Sequence, residues 1–253
     1  MTRAESIRAA LGRTGESRTV LDVRIGLGYT AITLDDERTG VAYTFPAGFR
    51  AGCSVLEGIR PLTGRPATQL LDLLGSSDFI RSSLGLACAN ALSNADPTRG
   101  VRGDVLDAVG IRTTDTVGMV GFFAPLVARI EREARSLVVF DENREDSPGT
   151  APASEAPQRL ANCDVALITS TAIINGSCDG LLSAAANCRE VVLLGSSTPM
   201  LPGAFMESPV TWLSGITVEN PAGILRIVSE GGGTRQFKPH VTKWNLRAGR
   251  NRG

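Results

Sequence analysis

Hydroxyls, glycines and carboxylates collect at four points in the second half of the chain, each directly after a short apolar run. Gly121-Phe122-Phe123-Ala124-Pro125 follows the first run and Asp141-Glu142-Asn143 the second. Thr169-Ser170-Thr171 and then Asn175-Gly176-Ser177 follow the third, and Gly195-Ser196-Ser197-Thr198-Pro199 the fourth. Glycine amides, hydroxyls and helix N-termini at strand ends make an anion-binding surface. A single Ser or Thr there is an ordinary helix cap; several such loops on one edge point to a site. The candidate ligand-binding residues are therefore Gly121, Phe122, Asn175, Gly176, Ser196, Ser197 and Thr198.

Metal and acid–base chemistry have their own candidates. Cys178 follows the Asn-Gly-Ser loop at an expected helix start, a position that lowers a thiol pKa and favours thiolate. Soft metals take thiolate, and harder ions take carboxylate. Cys178, Asp141, Glu142 and Asp179 are the expected ligand set for a transition metal, without an assigned geometry or metal identity. The same carboxylates could serve as acid or base on a small anionic metabolite, with Cys178 as a nucleophile. His240 is the one histidine, so triads and histidine-based metal motifs are poorly supported; it reads as structural. Cys163 and Cys188 read as core.

Nucleotide or S-adenosylmethionine binding is a further alternative. Asp141 lies 20 residues after Gly121, the separation of a ribose-binding carboxylate. However, the turn reads Gly118-Met-Val-Gly121-Phe-Phe, with bulky rings where a pyrophosphate would need glycine. Gly231-Gly232-Gly233-Thr234-Arg235 is either an anion loop or a turn.

The elements that would position these residues follow from periodicity. Strands are expected at 117–121, 137–140, 164–169 and 190–195, and helices at 125–134 and 173–187. Strands apolar on both faces, alternating with helices, mean a parallel sheet covered on both sides. The first part reads differently. A helix is expected at 5–11, then alternating runs at 19–29, 31–34 and 41–45. Asp35–Gly40 suits a hairpin turn, and helices follow at 68–74 and 79–92. The two domains are 1–110 and 111–253, with the break between Arg99 and Thr116 signalled by Asp96-Pro97-Thr98-Arg99-Gly100. The polar stretch 144–158 reads as a surface loop, with a lid over the site as the alternative.

Composition excludes several classes. The 253 residues carry 26 Lys+Arg against 26 Asp+Glu, which argues against a nucleic-acid partner. No apolar run is long enough to span a membrane. Met1–Gly15 mixes charges into its apolar residues and does not read as a secretory signal. The five cysteines lack CxxC spacing, so they read as reduced thiols and the expected location is cytoplasmic. The expected partners are a small-molecule anion or a metal chelate. A homodimer is also expected, through the companion domain or the C-terminal run Phe237–Leu246, which alternates like an edge strand.

The runs VGMVGFFAPLV (117–127), ITSTAIINGSCDGLL (168–182), LLGSSTPMLPGA (193–204) and SEGGGTRQFKP (229–239) together resemble the heavy-metal chelation domain family. VRIGLGYTAITL (23–34), YTFPAG (43–48) and LGLACANALS (84–93) resemble its usual N-terminal companion. The resemblance implies the α/β fold class: an N-terminal α+β enolase-N-terminal-like unit followed by a Rossmann-like parallel-sheet domain. It implies a site in the interdomain cleft and a role in handling a heavy or transition metal or its chelate. Motif positions that match are Gly121, Pro125, Asn175, Gly176, Asp179, Ser197, Thr198 and Pro199. Ser177 and Cys178 depart from the usual Thr-apolar pair, and Ser196 stands where the family often has proline.

Overall fold

Helix α1 (Arg3–Glu16) is set by its first turn. The Thr2 hydroxyl accepts from the Glu5 amide while the Glu5 carboxylate accepts from the Thr2 amide, a reciprocal capping box. Ile7 and Leu11, one turn apart, are its buried stripe. A three-stranded antiparallel sheet follows, built from β1 (Val20–Ile25), β2 (Tyr29–Leu34) and β3 (Thr39–Tyr43). Leu27-Gly28 makes a two-residue hairpin loop, closed by the Gly26 amide donating to the Tyr29 carbonyl at 2.8 Å. Helices α2 (Ala67–Leu71) and α3 (Phe79–Leu92) come next, and the Asp78 carboxylate caps α3 through the Ile80 and Arg81 amides. Helix α3 lies against β2 and β3. The computed structural model describes residues 1–45, 56–93, 100–142 and 149–249. Cys53, residues 46–48 of the YTFPAG run, residues 96–99 of the expected break, Asn143, residues 144–148 of the polar stretch and residues 250–253 lie outside them.

The second unit is an eight-stranded sheet. Its elements are β4 (Val101–Arg102), α4 (Val105–Val109), β5 (Thr116–Val120), α5 (Ala124–Glu133), β6 (Ser136–Phe140), β7 (Thr150–Ala151), α6 (Ala156–Arg159), β8 (Val165–Thr169), α7 (Cys178–Ala184), β9 (Glu190–Leu194), β10 (Trp212–Val218), α8 (Pro221–Ser229), α9 (Thr234–Phe237) and β11 (Val241–Arg247). The spatial order is β4-β11-β10-β9-β8-β5-β6-β7. From β7 to β10 every pairing is parallel; β11 and β4 add antiparallel strands at one side. Counted by appearance from β5, the parallel part runs 3-2-1-4-5-6, the order of a doubly wound sheet. Its direction reverses between β5 and β8, so the crevice of such a sheet falls beyond the carboxyl ends of those two strands.

Alternation along the central strands divides the core. Val117, Met119, Val139, Val165, Leu167, Val192 and Leu194 face Val105, Leu106, Leu126 and Ile130 of α4 and α5. Phe140, Ala166, Ile168, Val191 and Leu193 face the other way, joining Leu160, Leu181 and Leu182. That second cluster runs without a break into Ile7, Leu11, Ile32 and Leu84 of the first unit. The small sheet is also covered from both sides. One face packs on α3. On the other, Ala31 and Val41 pack on Ile224, Val228 and Phe237, which α8 and α9 of the second unit supply. The first unit therefore borrows half of its cover, so the two units fold as partners.

Several expectations change here. Val101–Arg102 and Val105–Val109 belong to the large sheet and its core. The expected helix 173–187 is interrupted. Ser170–Ile173 is a 3₁₀ turn and Gly176 has φ +78, so α7 starts only at Cys178. Phe237 lies in α9, and β11 is flanked by both β10 and β4. The C-terminal strand is thus covered by β4 at Trp244 and Asn245 on its outer side; Arg102 of β4 also stacks 4.7 Å over the Trp244 ring. No helix of the described residues is long and apolar enough to cross a membrane.

Close packing of α3 on the small sheet depends on Gly40, where an added Cβ would run into the α3 backbone at Ala87 and Ala91. Gly40→Ala is expected to cost about 2–3 kcal/mol, because backbone has to move. Gly12 sits inside α1 with open space around its Cβ position. Gly12→Ala is expected to add about 0.5–1 kcal/mol. Thermal or urea unfolding of the two variants checks both signs.

Candidate functional site

The carboxyl ends of β5, β8 and β9 place three turns side by side. After β5, Gly121 takes φ +83 and packs against Thr169 at the end of β8: its Cβ position lies 3.1 Å from the Thr169 side chain. The adjacent Phe122 amide donates to Asp141 Oδ2 at 2.9 Å, joining the end of β6 to the same turn. The Phe123 ring reaches across to β9. It lies 3.7 Å from the Cβ position of Gly121 and 3.8 Å from that of Gly195. The switch-point crevice is thus floored by Gly121, Thr169 and Gly195 and carries a half-buried aromatic ring.

Asp141 and Phe123 bear on the nucleotide alternative. The carboxylate in the ribose-binding position is engaged by a backbone amide of the first turn. The region where a pyrophosphate would approach the backbone holds the Phe123 ring.

The turn after β9 faces the first unit. Ser197 and Thr198 are each 2 % exposed, and both hydroxyls take part in hydrogen bonds within the fold. Ser197 Oγ accepts from the Tyr43 amide at 2.9 Å. Thr198 Oγ1 accepts from the Ser170 hydroxyl at 2.7 Å and donates to the Ser214 carbonyl at 2.9 Å. Asn90 of α3 completes the seam, with Nδ2 donating to the carbonyls of Val41 at 2.7 Å and Ser197 at 3.1 Å. Ser196 differs from both neighbours in being half-buried. Tyr29 lies in a chain of edge-on rings, 5.0 Å from Phe237 and 5.8 Å from Tyr43, which continues to Phe45 and Phe79. Gly233 of the glycine run packs on the Tyr29 ring, its Cβ position 3.7 Å away. That run serves as the α8–α9 turn against the aromatic wall.

The expected metal ligands do not assemble. Cys178 is 1 % exposed in the core. Burial first, and Asp179 second, push its thiol up to about 12, against a smaller opposing pull from Arg3. Desolvation outweighs the helix-terminus effect that the sequence suggests, and burial holds the Cys178 thiol in its protonated form at neutral pH. Asp179 instead holds α1, accepting from the Arg3 amide at 3.1 and 3.2 Å and pairing with its guanidinium at 3.4 Å. It lines a groove of about 530 Å³ with Met1, Thr2 and Glu207. Asp141 lies at the crevice and Glu142 next to it is exposed. Among the described residues no three His, Cys, Asp or Glu side chains form a metal-holding group. Asn175 and Gly176 are exposed, and Asn175 Oδ1 accepts from the Ser177 amide and hydroxyl at 3.1 and 2.7 Å.

Fold and site together define a two-unit α/β protein in which a small antiparallel sheet is hydrogen bonded to the turn after β9 of a mostly parallel sheet. The chain belongs to the DUF364 family, described as "Putative heavy-metal chelation", whose model matches residues 104–247. A second model of the same description, DUF4213, matches residues 8–93. Two solved structures share the fold across nearly the whole chain. One is a DUF364 protein of unknown function from Pyrococcus horikoshii, 21% identical, covering 97% of this chain and 100% of its own, with a TM-score of 0.84. The other is a DUF364 protein of unknown function from Desulfitobacterium hafniense, 23% identical, covering 97% and 98%, with a TM-score of 0.82. Comparison with curated proteins finds no match.

Burial gives the site a pH signature. Cys88 and Cys178 rise from 9.0 to about 12, and Tyr29 from 10.0 to about 12, each chiefly through desolvation of the charged form. A raised folded pKa means that the native state holds the proton more tightly. The resulting stability is fully present below pH 9 and is lost as pH rises toward 12. Melting temperature is therefore expected to fall across that window. Iodoacetamide at pH 8 is expected to leave Cys88 and Cys178 unmodified in the native protein and to modify both after denaturation.

Proposed function

We propose that the crevice binds a transition metal in the form of a small organic chelate. The lining carries this reading. The crevice offers glycine turns, hydroxyls, a backbone-anchored carboxylate and half-buried aromatic faces, and its metal-ligating side chains are dispersed. A lining of this kind suits an organic anion, with apolar walls and a few placed polar groups. The metal would then bring most of its own ligands. The family description supports a metal-related role.

Gly121 and the Phe122 loop would contact the chelate backbone-first, and Ser196 would meet an anionic oxygen. Phe123 and Tyr29 would flank its apolar parts. Asp141, which accepts from the Phe122 amide, and the adjacent Glu142 lie at the end of β6, and either could meet an open position on the metal. The small sheet would close the crevice from above, so both units take part.

Isothermal titration with nickel and cobalt tests the reading, each given as the chloride and as the preformed citrate complex, with free citrate as control. Micromolar binding of a citrate complex is expected, with the bare ion at least about ten-fold weaker. Tighter binding of the bare ion, or no binding of any of these, would overturn it.

A further inference from the structure

The small antiparallel sheet has two edges, and they differ. At the β3 edge the Tyr43 amide donates to Ser197 Oγ of the second unit. At the β1 edge no described strand pairs with the outer side. There the chain covers only the start of β1. The Val20 amide donates to the Arg65 carbonyl at 2.9 Å, and the Val20 carbonyl accepts from the Gly64 amide at 2.8 Å. In an antiparallel ladder, hydrogen-bonded pairs alternate with non-hydrogen-bonded ones. Counted from the bonded pair Gly26–Tyr29, the amides and carbonyls of Val23 and Ile25 point away from β2. Leu21, beside them, is 59 % exposed. An open edge of this kind is a template for another strand.

The charges on the edge fit one occupant. Arg24 Nε and Nη2 donate to Asp22 Oδ1 and Oδ2, each at 2.8 Å, and the Arg24 and Asp22 side chains are 48 % and 29 % exposed. Edge charges of a single sign repel a second copy. These two are opposite in sign and stand symmetrically about Val23. We infer that β1 is a self-association edge, on which the β1 strand of a second copy of this chain adds antiparallel about Val23. Asp22 of each copy then lies opposite Arg24 of the other, and Leu21 opposite Ile25. Opposite charges facing each other across strands attract, and the two-fold axis lets one sequence supply both sides. The two three-stranded sheets become continuous. The contact is short, so the dimer is a weak, concentration-dependent one. It does not depend on what the crevice binds.

Sedimentation velocity from micromolar to millimolar concentration tests the inference on wild type, Asp22→Arg, Arg24→Asp, and the variant carrying both changes. Wild type is expected to shift from the 26.6 kDa of one chain toward twice that mass as concentration rises. Each single change sets like charges opposite each other at two places and is expected to weaken association about ten-fold or more. The doubly changed chain, and an equimolar mixture of the two single variants, restore both opposite-charge pairs and are expected to associate like wild type. Because these two recover the contact with the same substitutions, they separate a lost interface from a damaged fold. Wild type that stays at one chain's mass throughout would overturn the inference. So would a dimer that ignores the single changes, or single variants that the mixture fails to rescue.

Discussion

The turn at Ser196–Thr198 is where the two units are tied together. Its side chains and carbonyls receive the Tyr43 amide from β3, the Asn90 amide from α3 and the Ser170 hydroxyl from the end of β8. Each bond contributes about 1 kcal/mol net, a modest sum. Their larger effect is on geometry. They hold the small sheet, through Tyr43 of β3, against the turn that follows β9. The apolar core enforces the same arrangement. The small sheet can bury its second face only on α8 and α9, and α1 is anchored to the second unit through Arg3, which reaches Asp179 and the Ala204 carbonyl. A crevice that a doubly wound sheet leaves open thereby becomes a junction between two units.

Much of the fold was legible along the chain because its signals are local. Helix 79–92 ends where its apolar face ends, and β5, β6, β8 and β9 fall within a residue or two of the apolar runs that mark them. What periodicity misses depends on distant partners. β4 is two exposed residues that become a strand only because β11 lies beside them. The same pairing covers part of the C-terminal strand, at Trp244 and Asn245, which the sequence pattern reads as an edge. The 173–187 pattern reads as one helix by hydrophobic spacing, but Asn175 and Gly176 break it, the first by an Asx turn and the second by positive φ.

The site was legible in outline, because glycine and hydroxyl residues after apolar runs mark strand ends wherever a parallel sheet forms. Gly121 and Ser196 emerge at the crevice. The roles of individual side chains were less accessible. Cys178 has the local sequence of an activated thiol, and burial against Leu181, Leu182 and neighbouring core residues reverses its chemistry. Asp179 matches a family motif position, and its observed partner is Arg3, 176 residues away. Ser197 and Thr198 look like anion-binding hydroxyls until their partners at Tyr43 and Ser214 are seen. Tyr29 gave no signal of its own, since nothing around it in sequence distinguishes it from an ordinary strand aromatic.

If both units share one ligand site at the carboxyl edge of the sheet, amide hydrogen exchange with and without saturating nickel citrate reads it out. Added protection is expected in two places at once: the turns at 121–123, 169–171 and 195–198, and the strands 29–34 and 39–43 that carry Tyr29 and Tyr43. Protection confined to one unit, or centred on the groove at Met1, Asp179 and Glu207, would contradict it.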